Sequence, residues 1–260
     1  MLTVLKIGGS VFSSKEKPFS LELRTLYNIA EEIAYALDRG CVENLVLVHG
    51  GGSYGHYIVA EHGASNSLDM AVQVAYYMRE LNEIVVDALH RLGVPAVGID
   101  THALAYLERE RLVVSIDPIL AMLSHGAVPV LYGDIVLGIE TMRIVSGDEL
   151  AWILASSIVP SRILFATNVD GVFDRDPRNP NAKLLNLVEV EKLDEVLRSV
   201  GGSSGIDVTG GMRTKLELAT KYFVDGIREV VIFNGRRRGY VLQALCGIPE
   251  RCTRLVRHGT

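Results

Sequence analysis

The sequence predicts an α/β fold built on buried parallel strands, and three observations carry that reading. The chain is 48% hydrophobic and 22% charged, with many Val, Ile, Leu and Gly residues, the composition of strands covered on both faces and joined by tight turns. Short apolar runs end in glycine clusters and then give way to helical periodicity, first over residues 2–10 and again over residues 45–62. The length of 260 residues fits one large domain or two lobes sharing a sheet, since single cores stop growing near this size.

Several classes are disfavoured at the outset. A net charge of −5 leaves no basic footprint for nucleic acid or an anionic membrane. No uncharged apolar run is long enough to span a bilayer, and the opening MLTVLKIGGS carries no basic leader, so a cytoplasmic protein is expected. Cys41, Cys246 and Cys252 are odd in number and lack CxxC spacing, which reads as packing residues in a reducing compartment. Two glutamines in the whole chain, Gln73 and Gln243, are a trait of heat-adapted sequences.

Taken in order, residues 2–7 form a first strand ending in Gly8, Gly9 and Ser10. Lys6 is out of place in a buried strand unless its ammonium meets an anion or carboxylate at the strand end, where ligands of open α/β sheets gather. Lys15, in the polar loop of residues 13–18, reads by itself as a solvated side chain. Ser20 opens a helix with a stripe of Leu21, Leu23, Leu26, Ile29, Ile33 and Leu37, closed by Gly40. The next strand runs into Gly50, Gly51 and Gly52 and then Ser53, Tyr54, Gly55 and His56 at a helix start. Glycines there let backbone N–H groups approach an anion, and a helix start adds free N–H groups and its positive dipole end. Gly50, Gly52 and Gly55 have the GxGxxG spacing but follow the second strand rather than the first, and the Walker pattern is absent.

Residues 67–92 predict a long helix closed by Gly93, with Val74, Met78, Leu81, Val85 and Leu89 on one face, and residues 96–99 a short strand. Asp117 and Pro118 start a helix that Gly126 ends. A strand over residues 127–132 turns at Gly133 and Asp134, and residues 135–145 read as a hairpin. Ser146, Gly147 and Asp148 then lead into a helix around residues 150–156, where Asp148 reads equally as part of a helix cap. A strand over residues 163–167 is followed by a loop over 168–173 and a turn-rich stretch over 174–182. Residues 201–205 are a flexible loop by composition. Thr209, Gly210 and Gly211 precede a helix over residues 212–223, in which Lys215 opposes the dipole and calls for an anionic neighbour. Strands over residues 230–233 and 253–256 complete the chain, and no fixed-period repeat occurs.

Together these stretches resemble the amino acid kinase superfamily, and within it the isopentenyl phosphate kinase branch. The motifs are KIGGS at residues 6–10, HGGGSYGH at 49–56, YGD at 132–134, SGD at 146–148, TNVDGVF at 167–173, and DVTGGM at 207–212 followed by Lys215. His56 after GGGSYG is the narrower signal. The resemblance implies a three-layer αβα sandwich with an open, mainly parallel sheet. In it, residues 1–160 form an N-terminal lobe that binds the phosphoryl acceptor and residues 161–260 a C-terminal lobe that binds ATP. It implies that Lys6, Gly8, Gly9, Ser10 and Gly52 face the nucleotide phosphates, with Thr167, Asp170, Phe173, Asp174, Gly210 and Lys215 completing the ATP site. Gly51, His56 and Gly147 would hold the acceptor, Lys15 would stabilise the transition state, and Asp148 would orient the lysines. ATP and Mg²⁺, a small monophosphate acceptor and a homodimer follow from the same resemblance, with no dedicated protein metal site. Three positions depart from the pattern: Asn168 where many members have Asp, Glu149 where the branch often has a second Asp, and Tyr54 where Phe is usual.

Phosphoryl transfer asks a protein for alignment and positive charge on the moving group, with little covalent work. Lys6, Lys15 and Lys215 supply that charge in this reading. A monophosphate acceptor is already ionised near neutral pH, so no general base is required and His56 serves as a positioner. An isopentenyl tail needs a dry pocket, for which Val74, Met78 and Leu81 are the candidates. The expected activity is ATP-dependent phosphorylation of isopentenyl phosphate to isopentenyl diphosphate in the alternative mevalonate route to isoprenoids. Two alternatives stand beside it: a kinase of the same scaffold acting on uridylate or a fosfomycin-like phosphonate, and a non-catalytic nucleotide- or oxyanion-binding protein. Lys6, Lys15, Asp148 and Lys215 together argue against the second. A dehydrogenase is disfavoured because GxGxxG is missing from the first βα turn.

Overall fold

The first predicted strand becomes the middle of the molecule. β1 (Leu2–Ile7) pairs in parallel with β2 (Asn44–His49) on one side and β9 (Arg162–Thr167) on the other. Beyond β2 lie β6 (Val128–Tyr132) and β3 (Ala96–Gly98); beyond β9 lie β11 (Glu229–Asn234), β12 (Cys252–Val256) and β10 (Leu187–Glu189). This eight-stranded sheet is parallel except that β12 runs against β11, with β10 parallel to β12. The computed structural model describes residues 1–14, 17–62, 67–201 and 210–257.

Successive side chains of the central strands enter two different cores, which makes the three layers. Leu5 and Ile7, Leu45 and Leu47, and Leu164 and Ala166 face one core, closed by α2 (Leu23–Asp38), α3 (Gly52–His62), α4 (Leu68–His90) and α10 (Tyr240–Cys246). Val4, Val46 and Val48, and Ile163 and Phe165 face the other, closed by α6 (Asp117–Ser124), α7 (Gly147–Ile158), α8 (Leu193–Gly201) and α9 (Gly210–Tyr222). Burial on both faces explains why these strands read as continuous apolar runs. Two antiparallel hairpins stand outside the main sheet, β4 (Ala105–Glu108) with β5 (Arg111–Val114) and β7 (Asp134–Leu137) with β8 (Met142–Val145). Two short helical turns, α1 (Gly9–Phe12) and α5 (Thr101–Leu104), follow β1 and β3.

The structure corrects two expectations. Ser20 does not open α2, which starts at Leu23. Phe19 turns the chain with a φ of 50°, and Glu22 N–H donates to Phe12 O at 2.8 Å, so the helix begins only after that turn. Cys41 and Cys246 are not simple packing residues but form a disulfide across a sequence separation of 205. Nothing in the spacing showed it, because the pairing depends on α2 and α10 lying side by side at the ends of the chain. The same helix pair is tied at its other end, where Glu32 accepts the N–H groups of Gly239 (2.6 Å) and Leu242 (3.0 Å). Arg162 donates to the carbonyls of Ala244 (2.8 Å) and Gly247 (2.5 Å) at the end of α10. Cys252 is buried and free. Among the described residues, no helix is long and apolar enough to cross a membrane, and the predicted loop of residues 201–205 lies, past Gly201, outside them.

Candidate active site

The carboxyl ends of β1, β2, β6 and β9 open on one side of the sheet into a cleft of about 500 Å³. At its head, Asp148 Oδ1 lies 2.8 Å from Lys6 Nζ and 2.5 Å from Lys215 Nζ. Each element brings its member for a local reason. Lys6 shares the parity of Val4 and so points into the layer of α7 and α9. Ser146 is the N-cap of α7, its Oγ accepting Glu149 N–H at 3.1 Å, which leaves the Asp148 carboxylate to the lysines. Gly147 admits this helix start, since a Cβ there would lie 2.8 Å from His49 O. Lys215 enters from the first turns of α9, its ammonium also 4.6 Å from the centre of the Phe165 ring.

The electrostatics follow from burial. Burial alone works against a charged Asp148, but the Lys215 and Lys6 ammonium groups hold its carboxyl well below the usual range. Burial pushes Lys215 down to about 8, against the attraction of Asp148. Two ammonium groups sharing one carboxylate leave an excess of positive charge facing the cleft, suited to a polyphosphate.

The glycine loops cross one another beside this cluster. A Cβ on Gly9 would lie 2.0 Å from Gly52 N, and one on Gly50 2.8 Å from Gly9 N, so backbone meets backbone. Gly52 also takes a φ of +51°. Among the described residues the N–H groups of Gly51 and Gly52 take no hydrogen-bond partner, and both residues line the cleft. Behind the loop, His49 is fully buried, its ring nitrogens 3.1 Å from the Asn82 amide oxygen and 3.2 Å from Gly50 O. Burial lowers its pKa to about 4.

Val59, Val74 and Met78, which share one helix layer, make that wall of the cleft apolar, and Ile144 and Val145 of the β7–β8 hairpin add to the apolar lining. Thr167, Asn168, Val169, Met212 and Thr214 line the other side with Gly211 and Lys215. Of the predicted residues, the cleft thus gathers Lys6, Gly8, Gly9, Ser10, Gly51, Gly52, Val74, Met78, Gly147, Asp148, Thr167 and Lys215. Leu81 does not line the cleft: this side chain of α4 is wholly buried in the core. Asp170 also stands outside the lining, its carboxylate held by Asn234, Arg237 and Arg251. Phe173 bridges to Leu184, and Asp174 accepts Lys183 N–H at 2.9 Å and pairs with Arg175, both away from the cleft wall. Gly210 heads α9. His56 falls within α3, with its side chain outside the description, and Lys15 lies outside the described residues.

Two of the three departures have local partners, and Asn168 lines the cleft. Glu149 forms a two-pronged pair with Arg143 at 2.8 and 2.9 Å, so it does not join Asp148 in the cleft. Tyr54 packs edge-on to Phe19 with ring centres 5.2 Å apart. Sequence reading missed Val59, although it follows Gly55 by four residues and so shares its helix face. It also missed Ile144 and Val145, whose hairpin position carries no chemical signal. Among the described residues no three His, Cys, Asp or Glu side chains converge as a metal site.

The amino acid kinase family model matches residues 1–234. The isopentenyl phosphate kinase of Methanocaldococcus jannaschii is 35% identical over 264 residues, covering 96% of this chain and 97% of that relative. That of Methanothermobacter thermautotrophicus is 32% identical, covering 98% of each. A solved isopentenyl phosphate kinase structure aligns with a TM-score of 0.82 at 29% identity, over 98% of this chain and all of that one. Fold, lysine cluster and these matches agree: the chain belongs to the amino acid kinase family.

Proposed function

We propose that this protein transfers the γ-phosphoryl group of ATP to isopentenyl phosphate, releasing ADP and isopentenyl diphosphate. The observation that carries the proposal is a single cleft in which the Lys6–Asp148–Lys215 cluster and the crossed glycine loops adjoin a wall of Val59, Val74 and Met78. Phosphate recognition and an apolar tail site therefore lie side by side.

The acceptor oxygen attacks the γ-phosphorus while the bond to the β–γ bridging oxygen breaks, and ADP leaves with that electron pair. The acceptor is a phosphate already ionised near pH 7, so no residue need take its proton. Asp148 works as an orienter, holding two ammonium groups where charge gathers on the transferred group. Gly51 and Gly52 offer N–H donors. Lys15 and His56 take the roles that the resemblance gives them, stabilising the transition state and holding the acceptor phosphate. Mg²⁺ bound with the nucleotide would add positive charge against the phosphate oxygens, beside that of Lys6 and Lys215. Asp148 is the one acidic residue among the described residues lining the cleft and is already shared by two lysines, a donor set that fits a metal held mainly by phosphate and water.

In this reading the strands of residues 1–160 carry the acceptor side and those of residues 161–260 the ATP side, with the base and ribose directed toward the loop of Asp170, Phe173 and Asp174. A homodimer is expected, checked by light scattering. A cytoplasmic location goes with a nucleotide donor, and a disulfide there fits a heat-adapted source, whose intracellular proteins keep them.

The test is ADP release from Mg-ATP against isopentenyl phosphate, uridylate, acetylglutamate and fosfomycin, with the product identified by mass. Selective formation of isopentenyl diphosphate is expected; turnover of another acceptor alone would reject the proposal while keeping the phosphate machinery. His56→Ala is expected to raise KM for isopentenyl phosphate and lower kcat, and Lys15→Ala to lower kcat by about a hundredfold.

A further inference from the structure

Ser13 closes α1 and is 3% exposed, outside the cleft lining. Its hydroxyl donates to Gly9 O at 2.8 Å and accepts the N–H of Ser53 at 3.0 Å. One buried oxygen thus joins the loop after β1 to the head of α3, where the loops cross. A Cβ on Gly52 would lie 2.1 Å from that oxygen, so Ser13 also fills the space beside this left-handed glycine. The tie continues outward: Ser53 Oγ donates to Ser20 O at 2.8 Å, and Ser20 Oγ donates to Ser14 O at 3.0 Å. Ser53 N–H is one of the unpaired donors of a helix start. Its use by Ser13 leaves Gly51 and Gly52 to the cleft.

We propose that Ser13 is a positioning residue that couples the two halves of the site, so that a ligand ordering one glycine loop orders the other. The inference rests on the kinase reading of the cleft. A loop that shifts around a nucleotide drags Gly9, and Gly9 O holds the Ser13 hydroxyl, which holds the first turn of α3. The coupling is reciprocal by linkage. A purely structural serine would change stability and both affinities together, whereas a coupling serine changes the effect of one ligand on the other.

The experiment is calorimetric titration of the intact protein with a non-hydrolysable ATP analogue and Mg²⁺, with isopentenyl phosphate, and with each in the presence of the other. In the wild type, one ligand is expected to tighten the other by fivefold or more. In Ser13→Ala, each ligand alone is expected to bind within about threefold of wild type, the mutual effect to fall within twofold of unity, and kcat to drop at least tenfold with smaller changes in KM. Ser13→Thr, which keeps the hydroxyl on an extended backbone, is expected to restore the coupling. Three results would overturn the proposal: independent binding in the wild type, retained coupling and kcat in Ser13→Ala, or loss of both separate affinities with coupling intact. Should Ser13→Ala not fold, the near-isosteric Ser13→Cys decides, lost coupling at unchanged Tm supporting the proposal and retained coupling ending it. No transfer to isopentenyl phosphate by the wild type would reject the functional proposal alone. The same coupling measured with inorganic phosphate in the acceptor's place would then decide the role of Ser13.

Discussion

Two residues set the pH behaviour of the site. The pKa of Lys215 is about 8 in the unliganded protein because burial outweighs Asp148, and only its charged form attracts phosphate. Affinity for an ATP analogue is therefore expected to fall as pH rises above about 8, by at most tenfold per unit, with net proton uptake on binding at pH 8.5. Titration calorimetry in buffers of different ionisation enthalpy measures that uptake, and none would exclude Lys215 as the titrating donor. His49 acts on stability instead. Its folded pKa of about 4 lies below the unfolded value near 6.5, so its contribution is present above that value and is lost as pH falls toward 4. The loss amounts to about 3 kcal/mol. Urea unfolding from pH 7 to pH 4 is expected to show a loss smaller by about that amount in His49→Gln than in the wild type, since Asp148, depressed below the carboxylate range, contributes its own loss only at lower pH and does so equally in both proteins.

At the level of elements, α4 serves both core and site. Met70, Val74, Met78, Leu81 and Val85 are buried on one face, yet only Val74 and Met78 open into the cleft. Met78 Sδ would lie 2.9 Å from a Cβ on Gly51, directly under the phosphate loop. Met78→Phe is expected to raise KM for isopentenyl phosphate at least tenfold while leaving KM for ATP within about twofold, as overfilling a packed pocket should. Initial-rate kinetics with each substrate varied would show it, and an unchanged acceptor KM would remove α4 from the tail site. This helix also marks the limit of what the sequence made legible. Its stripe was plain at 3.6-residue spacing, but periodicity gives a face rather than a depth, so Leu81 could not be told from Met78. Lys6 was legible because a charge inside an apolar strand needs a partner, and Asp148 is that partner. The short β4–β5 hairpin, β10, α8 and α10 were not, because such brief elements depend on neighbours distant in the chain. Ser13 was hidden because a serine near a helix end has many commoner uses.

Across the whole molecule, the ends of the chain are drawn together by α2 and α10. The Cys41–Cys246 disulfide closes a loop of about 205 residues, and removing such a link costs about 2–5 kcal/mol by chain entropy. Reduction, or Cys41→Ser, is expected to lower Tm by several degrees in differential scanning calorimetry while leaving turnover at 25 °C unchanged, since neither cysteine lines the cleft. Equal Tm values with and without reductant would show that the clamp of Glu32 and Arg162 suffices alone.

The position of β1 between β2 and β9 has a consequence for synthesis. Ile7 pairs with His49 on one edge and Ala166 on the other, so a nascent chain can pair one edge of β1 early but must wait for residues 162–167 to leave the ribosome before covering the second. During that interval Lys6 also lacks Lys215 as its companion around Asp148. The emerging half-sheet presents a bare, apolar strand edge, the kind of surface on which other chains add. Rapid expression should therefore favour aggregates seeded by fragments ending before β9, and slowed elongation should relieve them.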